Sequence, residues 1–329
     1  MAGMTTDRKT NSKSNRIRFG LCCIFRNQPI RFRGITAKYL GQFPRDKQLD
    51  KLSTLCLANC ESLLAALNFV HGYRFGAFRI LTPFFPRFTH PEVGYTLDDL
   101  PDKIEIEASL KKTNQYRQKN DIRLSFHPDQ FVILSSPKKH VVANSLRELE
   151  YQGMLAARVG ADVINVHGGG KYDDKQQALH RFVKNFQRLS SQVKNRLTLE
   201  NDDKVYTVSD LVPLCNELAI PLVYDVHHHR CNPDGLTVEE ATSLALETWR
   251  KVGREPYFHI SSPKHGWSNG LPNPHADYIN PADFPECWKG LTITVDVEAK
   301  AKELAVIKLM QDLGTVGKGS FRPQSGETG

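Results

Sequence analysis

Long hydrophobic runs are absent from this chain of 329 residues. No stretch approaches the ~18 consecutive apolar residues of a transmembrane helix. The first eighteen residues are mostly Thr, Ser, Asn, Lys and Arg, so the apolar core of a signal peptide is missing as well. The seven cysteines include no C-x-x-C pair. We therefore expect a cytoplasmic protein with buried free thiols and no membrane partner.

Acidic residues are scarce near the start of the chain. The first fifty residues contain only Asp7, Asp46 and Asp50, while the whole chain has a net charge of +8 and a pI near 9.0. The basic residues between positions 16 and 51 are Arg16, Arg18, Arg26, Arg31, Arg33, Lys38, Arg45, Lys47 and Lys51. An excess of this kind favours polyanionic partners such as nucleic acid.

Short apolar segments alternate with longer helical ones along the chain. The predicted strands are 17–23, 77–81, 123–127, 162–167, 197–201, 223–226, 257–260 and 292–298. The predicted helices are 46–72, 103–119, 139–159, 174–194, 208–218, 237–252 with Thr237 as its cap, 281–288 and 300–313. Eight such units predict a single (β/α)8 TIM barrel with flexible termini.

An open doubly wound sheet is the main structural alternative to a barrel. It is disfavoured because no G-x-G-x-x-G motif follows the first strand. We expect the barrel to occupy residues 16–313, between a disordered basic arm at 1–15 and a disordered tail at 314–329.

Imidazole and carboxylate side chains follow most of the predicted strands. They are His127, His167, Glu200, Asp225 with His228, His259 and Glu298. A barrel brings every strand end to one face, so these side chains should converge around one mouth. Carboxylate oxygen together with imidazole nitrogen suits manganese, zinc or iron better than calcium. The pattern therefore predicts a metal site.

Several polar residues keep more than one interpretation. Alternation cannot decide which of His227, His228 and His229 is a ligand, because the predicted strand ends there. Lys171 and Tyr172, after a triple glycine, fit a phosphate contact and a solvated loop equally well. The histidines left as surface residues are His90, His140 and His180.

Five motifs in this order make the chain resemble the UV damage endonuclease family from about Arg16 to Leu313. They are His127-Pro128-Asp129-Gln130-Phe131, Asn165-Val166-His167-Gly168-Gly169-Gly170, Leu199-Glu200-Asn201-Asp202, Asp225-Val226-His227-His228 and Val297-Glu298-Ala299-Lys300. The resemblance implies a barrel related to endonuclease IV that holds two or three divalent ions, commonly manganese. It also implies nicking of duplex DNA on the 5′ side of ultraviolet photoproducts and some other lesions.

The resemblance also implies roles for individual residues. The implied metal ligands are His127, His167, Glu200, Asp225, His228, His259, His275 and Glu298. His71 matches a histidine that the family places near the reacting phosphate. We further expect Glu298 or Glu200 to orient the attacking water, and Lys300 to be a catalytic residue. The expected DNA contacts are Gln130, Phe131, Lys171, Tyr172, Arg31 and Arg33. We expect a monomer, associated with the nucleoid if the source is bacterial.

Three positions depart from the family pattern. A Gln-Tyr pair that enters the duplex is Gln130-Phe131 here, and phenylalanine keeps the ring needed for stacking or wedging. Leu21 stands where the first strand usually carries a tyrosine. Tyr257 stands where the seventh strand can carry a lysine.

Other functions also fit part of the pattern. A sugar isomerase on the same barrel would use similar metal ligands, but it leaves the basic arm and Gln130-Phe131 unexplained. An abasic-site endonuclease of the endonuclease IV type is a nearer alternative. A lesion-binding or structural protein would keep metal only for folding, although eight ligands spread over several ions suit open sites better.

Overall fold

The computed structural model describes residues 16–172 and 174–316. The arm predicted to be disordered, 1–15, lies outside the described residues, and so does 317–329 of the predicted tail. Eight parallel strands form a closed barrel in chain order, and this confirms the predicted (β/α)8 fold. The strands are β1 (Ile17–Cys22), β2 (Gly76–Ile80), β3 (Arg123–Phe126), β4 (Val163–His167), β5 (Leu197–Glu200), β6 (Leu222–Asp225), β7 (Tyr257–Ile260) and β8 (Ile293–Val297).

Ten α-helices surround the barrel or lie in its connections within the described residues. They are α1 (Ala37–Leu40), α2 (Arg45–Gly72), α3 (Lys103–Lys119), α4 (Lys139–Val159), α5 (Lys175–Phe186), α6 (Ser191–Lys194), α7 (Val208–Leu218), α8 (Val226–Cys231), α9 (Val238–Lys251) and α10 (Glu303–Asp312). Short 3-10 helices occupy Leu97–Asp99, Pro281–Asp283 and Glu286–Trp288.

Local signals explain where several helices begin. Thr237 caps α9 as predicted, because its hydroxyl accepts a hydrogen bond from the Glu240 backbone and the Glu240 side chain accepts one from the Thr237 backbone. The predicted helix 174–194 is two helices, because Ser190 caps a new helix, α6, after α5 has ended at Phe186. The helix α1 was not predicted.

The barrel interior is lined by buried polar side chains, among them Ser125, Asn165 and Asp296. Gly20 on β1 leaves space for the Asp296 carboxylate of β8, since a Cβ at Gly20 would lie 1.8 Å from Asp296 Oδ1. The outer faces of the strands pack against the helices in one apolar core that includes Leu21, Phe78 and Val295. This core fixes the strands, and the strands fix the side chains at their ends.

The helix α2 is long and apolar enough to cross a membrane by length and composition, because one window of 18 residues within it has a mean hydropathy of 1.3. Core helices of globular proteins meet the same criterion. The apolar side of α2, including Leu52, Leu63 and Leu67, is fully buried against the rest of the barrel. Packing in the core therefore accounts for its hydropathy.

Candidate metal centre

The carboxylate of Glu200, at the end of β5, lies at the centre of the barrel mouth. Its Oε2 atom lies 3.0 Å from His127 Nε2, and its Oε1 atom lies 3.0 Å from His259 Nδ1 and 3.3 Å from His228 Nδ1. His167 approaches from β4, with Nε2 3.9 Å from Glu200 Oε2. Glu200 is fully buried. Residues far apart in sequence therefore converge on one carboxylate.

Three overlapping groups of side chains could each hold a metal ion. The groups are His127 with Glu200 and His259, Glu200 with Asp225 and His228, and Asp225 with His259 and Glu298. Within each group the ligand atoms lie within 4.8 Å of one another. The first two groups share Glu200 and the last two share Asp225, so each of these carboxylates would serve two adjacent groups.

A short helix decides which histidine after β6 faces the centre. The Asp225 side chain caps α8 by accepting a hydrogen bond from His228 N at 2.8 Å. Residues three apart share a helix face, so His228 turns back toward Glu200. His227 instead lies 3.3 Å from the Asn273 carbonyl, and His229 lies 2.6 Å from the Tyr224 hydroxyl. Of these three histidines, His228 is the one whose ring faces the Glu200 carboxylate.

His275 reaches the centre from the long connection after β7. Its Nδ1 atom lies 3.8 Å from Glu298 Oε2 and 3.2 Å from Ser261 Oγ. The Glu298 Oε1 atom lies 3.5 Å from His259 Nδ1. All eight predicted ligands therefore lie at the same end of the barrel.

Two buried atoms show that the centre fits a metal ion. Asp225 Oδ2 and His167 Nδ1 are buried and have no hydrogen-bond partner in the described part of the chain. A buried polar atom without a partner costs about 1–3 kcal/mol, so such atoms are uncommon in folded proteins. The oxygen and nitrogen donors present are those that manganese, zinc and iron accept.

The charges of the centre depend strongly on one another. Burial raises the pKa of Glu200, but the His259 and His167 imidazoles outweigh burial and hold that pKa well below its usual value. Burial lowers the pKa of His228, but the Asp225 and Glu200 carboxylates raise it well above its usual value. In the metal-free protein, the charged forms of His228 and of these carboxylates therefore favour one another.

Arg79 of β2 is a member of this centre that the sequence analysis did not identify. Its guanidinium donates to Asp296 Oδ2 at 2.8 Å and to Glu298 Oε1 at 2.6 Å, and its Nη2 atom lies 2.8 Å from His259 Nε2. The Tyr257 hydroxyl donates to the other Asp296 oxygen at 2.8 Å. An arginine inside an otherwise apolar strand was the available signal, because a buried charge needs a partner.

Leu21 and Tyr257, which stand where the family usually carries other residues, lie in different parts of the barrel. Leu21 is buried in the apolar core, while the neighbouring Gly20 faces Asp296 in the barrel interior. Tyr257 lies below the centre, where its hydroxyl contacts Ser125 Oγ at 2.9 Å as well as Asp296. Tyr257 therefore belongs to the network that supports Arg79.

The structure places His71 away from the centre, and its predicted position near the reacting phosphate is wrong. His71 lies in the last turn of α2, which leads into the start of β2, and its ring contacts Tyr116. It lines a cavity with Arg16 and Ile122, next to the starts of β1 and β3. The centre lies at the opposite ends of these strands.

The other predicted site residues lie on connections that leave the mouth. Lys300 lines a cleft of about 580 Å³ together with Glu298 and Lys302. Lys171 is exposed, and the Arg181 guanidinium lies 5.4 Å from the centre of the Tyr172 ring. The remaining predicted DNA contacts are all exposed: Arg31, Arg33, Gln130 and Phe131.

We expect stability to respond to pH in opposite directions without and with metal. The raised pKa of His228 gives the metal-free protein stability that is complete below its ordinary pKa of 6.5 and is lost as pH rises through the folded value. Metal needs neutral imidazole, so the metal-loaded protein should gain stability over the same range. Urea unfolding with EDTA or with manganese, from pH 6.5 upward, measures both slopes.

His140 provides a control for this experiment, because it is exposed on α4. A His140→Gln variant should show both slopes unchanged. Equal slopes with EDTA and with manganese would contradict the assignment of imidazole ligands.

Comparison with known proteins gives a consistent result. A sequence model of the family described as UV-endonuclease UvdE matches residues 17–320. The UV DNA damage endonuclease of Bacillus velezensis is 33% identical over 284 residues, covering 83% of this chain and 85% of that protein. These matches agree with the resemblance inferred from the motifs.

Solved structures show the same relationship. The crystal structure of SacUVDE superposes with a TM-score of 0.79 at 26% identity, covering 92% of this chain and 100% of that chain. Endonuclease IV from Thermus thermophilus superposes with a TM-score of 0.57 at 14% identity, covering 91% and 98%, which shows the shared fold alone. The chain therefore belongs to the UV-endonuclease UvdE family, a family of DNA repair endonucleases.

Proposed function

We propose that the protein nicks duplex DNA on the 5′ side of ultraviolet photoproducts, and of other distorting lesions such as abasic sites, by metal-dependent phosphodiester hydrolysis. One observation supports this most directly. Carboxylates and imidazoles from five other strand ends surround the buried Glu200, in a chain whose family acts on damaged DNA. We propose a monomer that works in the cytoplasm, at the nucleoid if the source is bacterial.

The eight residues proposed as metal ligands would hold two or three divalent ions. We propose manganese, the metal implied by the family resemblance, although the mixed donors also accept zinc or iron. The proposed ligands are His127, His167, Glu200, Asp225, His228, His259, His275 and Glu298. Bound ions of this kind neutralise phosphate charge, lower the pKa of an attacking water and stabilise the leaving oxygen.

The protein supplies orientation and charge around these ligands. Arg79 holds one Glu298 oxygen at 2.6 Å, so the other oxygen points toward His275 and the mouth. We propose that Glu298 or Glu200 orients the attacking water and accepts its proton. Lys300 and Lys302 in the adjoining cleft would offset the charge of the phosphate.

The Gln130-Phe131 pair would open the duplex at the lesion. Asp129 forms a turn in which its carboxylate accepts from Phe131 N at 3.0 Å, and this turn presents the ring to solvent with 73% of Phe131 exposed. An exposed aromatic ring on a binding face is suited to stacking on, or wedging between, bases.

We expect Phe131→Ala to weaken binding to damaged duplex by about tenfold or more, because stacking on an aromatic side chain is worth ~1–3 kcal/mol per base. Phe131→Tyr should bind as the unmodified protein does, because the ring is retained. Fluorescence anisotropy with a duplex that carries one photodimer measures the change. Equal binding by the alanine variant would contradict the proposed insertion.

Basic residues outside the centre would hold the DNA backbone. Arg31 and Arg33 lie on the exposed connection after β1, and Lys171 lies on the connection after β4. Connections after strands leave the barrel at the mouth, so these side chains can reach phosphates that flank the lesion. Binding should therefore weaken steeply as salt rises.

The mapped position of the cut tests the proposed function. The purified protein with manganese is incubated with a duplex that contains one photodimer, and the products are resolved beside a sequence ladder. We expect a single cut 5′ to the photodimer, which leaves a 3′-hydroxyl and is absent when EDTA is present. Intact DNA in both samples, or a cut that EDTA does not prevent, would overturn the proposal.

A further inference from the structure

Large apolar side chains are exposed around the barrel mouth, and one of them, Leu271, has no role in the proposed function. Ile24 follows β1 and Phe131 follows β3, while Trp267, Leu271 and Tyr278 follow β7. Leu271 is 74% exposed, about the same as Phe131 at 73%. Exposed apolar side chains collected at one end of a barrel indicate a binding face, and Leu271 is the most exposed of these five.

The loop that carries Leu271, residues 263–275, is here called the β7 loop. Its two ends pair as a short antiparallel bridge between Pro263 and His275, and Lys264 N donates to the Pro274 carbonyl at 2.7 Å. Gly270 precedes Leu271 with a φ of +83°, which a residue with a side chain rarely adopts, and Pro272 follows it. The leucine therefore lies at a defined turn.

Side-chain contacts hold the β7 loop against the barrel. The Trp267 indole donates to Asp283 Oδ1 at 2.8 Å, and the Asn273 amide donates to Asp203 Oδ2 at 2.7 Å. The Arg230 guanidinium lies 5.7 Å from the centre of the Trp267 ring. A loop held in this way loses little freedom when it binds a partner.

The charge of the β7 loop suits a polyanion. No Asp or Glu occurs from Ser261 to Ala276, whereas Lys264 and His265 are exposed. The loop also forms a wall of the cleft that contains Lys300 and Lys302, through Asn273, Pro274 and His275. A leucine at the tip of such a surface suits bases, and the lysines suit phosphates.

The position of the β7 loop relates it to both the metal centre and Phe131. Leu271 is four residues from His275, so its Cα lies within about 14 Å of the His275 Cα. This is the length of about four nucleotides along one strand. Because β3 and β7 are four strands apart in a closed barrel of eight, Phe131 and Leu271 lie on opposite sides of the mouth.

We propose that the β7 loop is a second DNA-contacting element, and that Leu271 inserts at the distorted base step from the side opposite Phe131. This inference rests on the proposed function. A leucine forms no hydrogen bonds to bases, so it distinguishes DNA by how easily a base step is opened and not by sequence. Photoproducts weaken stacking, and the inserted side chain therefore favours damaged duplex.

Binding by a Leu271→Ala variant tests the inference. Affinity is measured by anisotropy for a duplex with one photodimer and for the same duplex without it, with every variant carrying Glu200→Gln to prevent nicking. We expect about tenfold weaker binding to the damaged duplex and unchanged binding to the undamaged one. A 2-aminopurine opposite the lesion should brighten less with this variant, because fewer bases are unstacked.

Two further variants separate insertion from other effects. Leu244→Ala removes an exposed leucine from α9, outside the mouth, and should change neither affinity. Lys264→Ala should weaken both duplexes by the same factor, since it removes only a phosphate contact. Leu271→Met should retain the preference for damage.

The outcomes distinguish this inference from the proposed function. If Leu271→Ala lost the same affinity for both duplexes, or no affinity for either, insertion by Leu271 would be overturned. The proposed nuclease function would stand. Failure of the unmodified protein to nick or prefer damaged duplex would overturn the proposed function, and the inference with it.

Discussion

Replacement of Glu200 by glutamine is expected to lower the rate of nicking at least about a hundredfold. The reason is that metal ions of the kind Glu200 would hold stabilise the transition state by several kcal/mol. Two of the three candidate metal groups contain Glu200, and both of its oxygens lie within 3.3 Å of imidazole nitrogens. Glutamine keeps the shape but loses the charge that binds cations. Single-turnover nicking of photodimer duplex with manganese measures the rate.

Binding to damaged duplex should be nearly unchanged in Glu200→Gln, since Glu200 is buried and the proposed DNA contacts are exposed. Glu239→Gln, on the exposed side of α9, is a matched control that should nick normally. Nicking by Glu200→Gln within about tenfold of the unmodified protein, a change of only ~1.4 kcal/mol, would contradict a central role for this carboxylate.

Replacement of Arg79 by leucine is expected to destabilise the metal-free protein by about 3–5 kcal/mol, because it leaves buried carboxylates without their cation. Arg79 and Asp296 side chains are 9% and 0% exposed, and Glu298 is 16% exposed. Arg79→Lys should lose less stability, although a single ammonium cannot reach every acceptor of the guanidinium fork. Urea unfolding in EDTA measures each variant.

An exposed ion pair provides the comparison for Arg79. Arg250 pairs with Glu247 on the outer surface of α9, and Arg250→Leu should change the free energy of unfolding little. An exposed ion pair contributes below about 1 kcal/mol to the free energy of unfolding. If Arg79→Leu lowered the free energy of unfolding by no more than this, Arg79 would not be a structural cation of the centre.

The barrel could be predicted because its signals are local and repeated. Each strand is a short apolar run with a clear stop, and eight such runs alternate with helices. The convergence of His127 and Glu200 then follows from barrel closure, because parallel strands end on one face. No knowledge of side-chain contacts was needed for this step.

The choice among His227, His228 and His229 could not be predicted from alternation, because α8 begins where a strand end was expected. Helical spacing, and not strand spacing, brings Asp225 and His228 together. The sequence does contain a signal for this helix, since an aspartate three residues before His228 is a suitable N-cap.

His71 was misplaced for a topological reason. The last turn of a helix that precedes a strand lies beside the N-terminus of that strand. The N-termini of all strands lie on the barrel face opposite the mouth. His71 lies in the last turn of α2, shortly before β2 begins at Gly76. Its position could therefore have been deduced from the order of the helices and strands alone. The role of Arg79, in contrast, could not be deduced from the sequence. The partners of this buried charge come from distant strands, and only the folded chain identifies them.

The proposed metal centre is tested by crystals grown with manganese, through an anomalous difference map of the barrel mouth. We expect at least two peaks, each within ~2.0–2.3 Å of oxygen or nitrogen atoms of the proposed ligands and with Glu200 contacting more than one ion. A map without peaks among these side chains, from crystals of protein that nicks damaged DNA, would contradict the account.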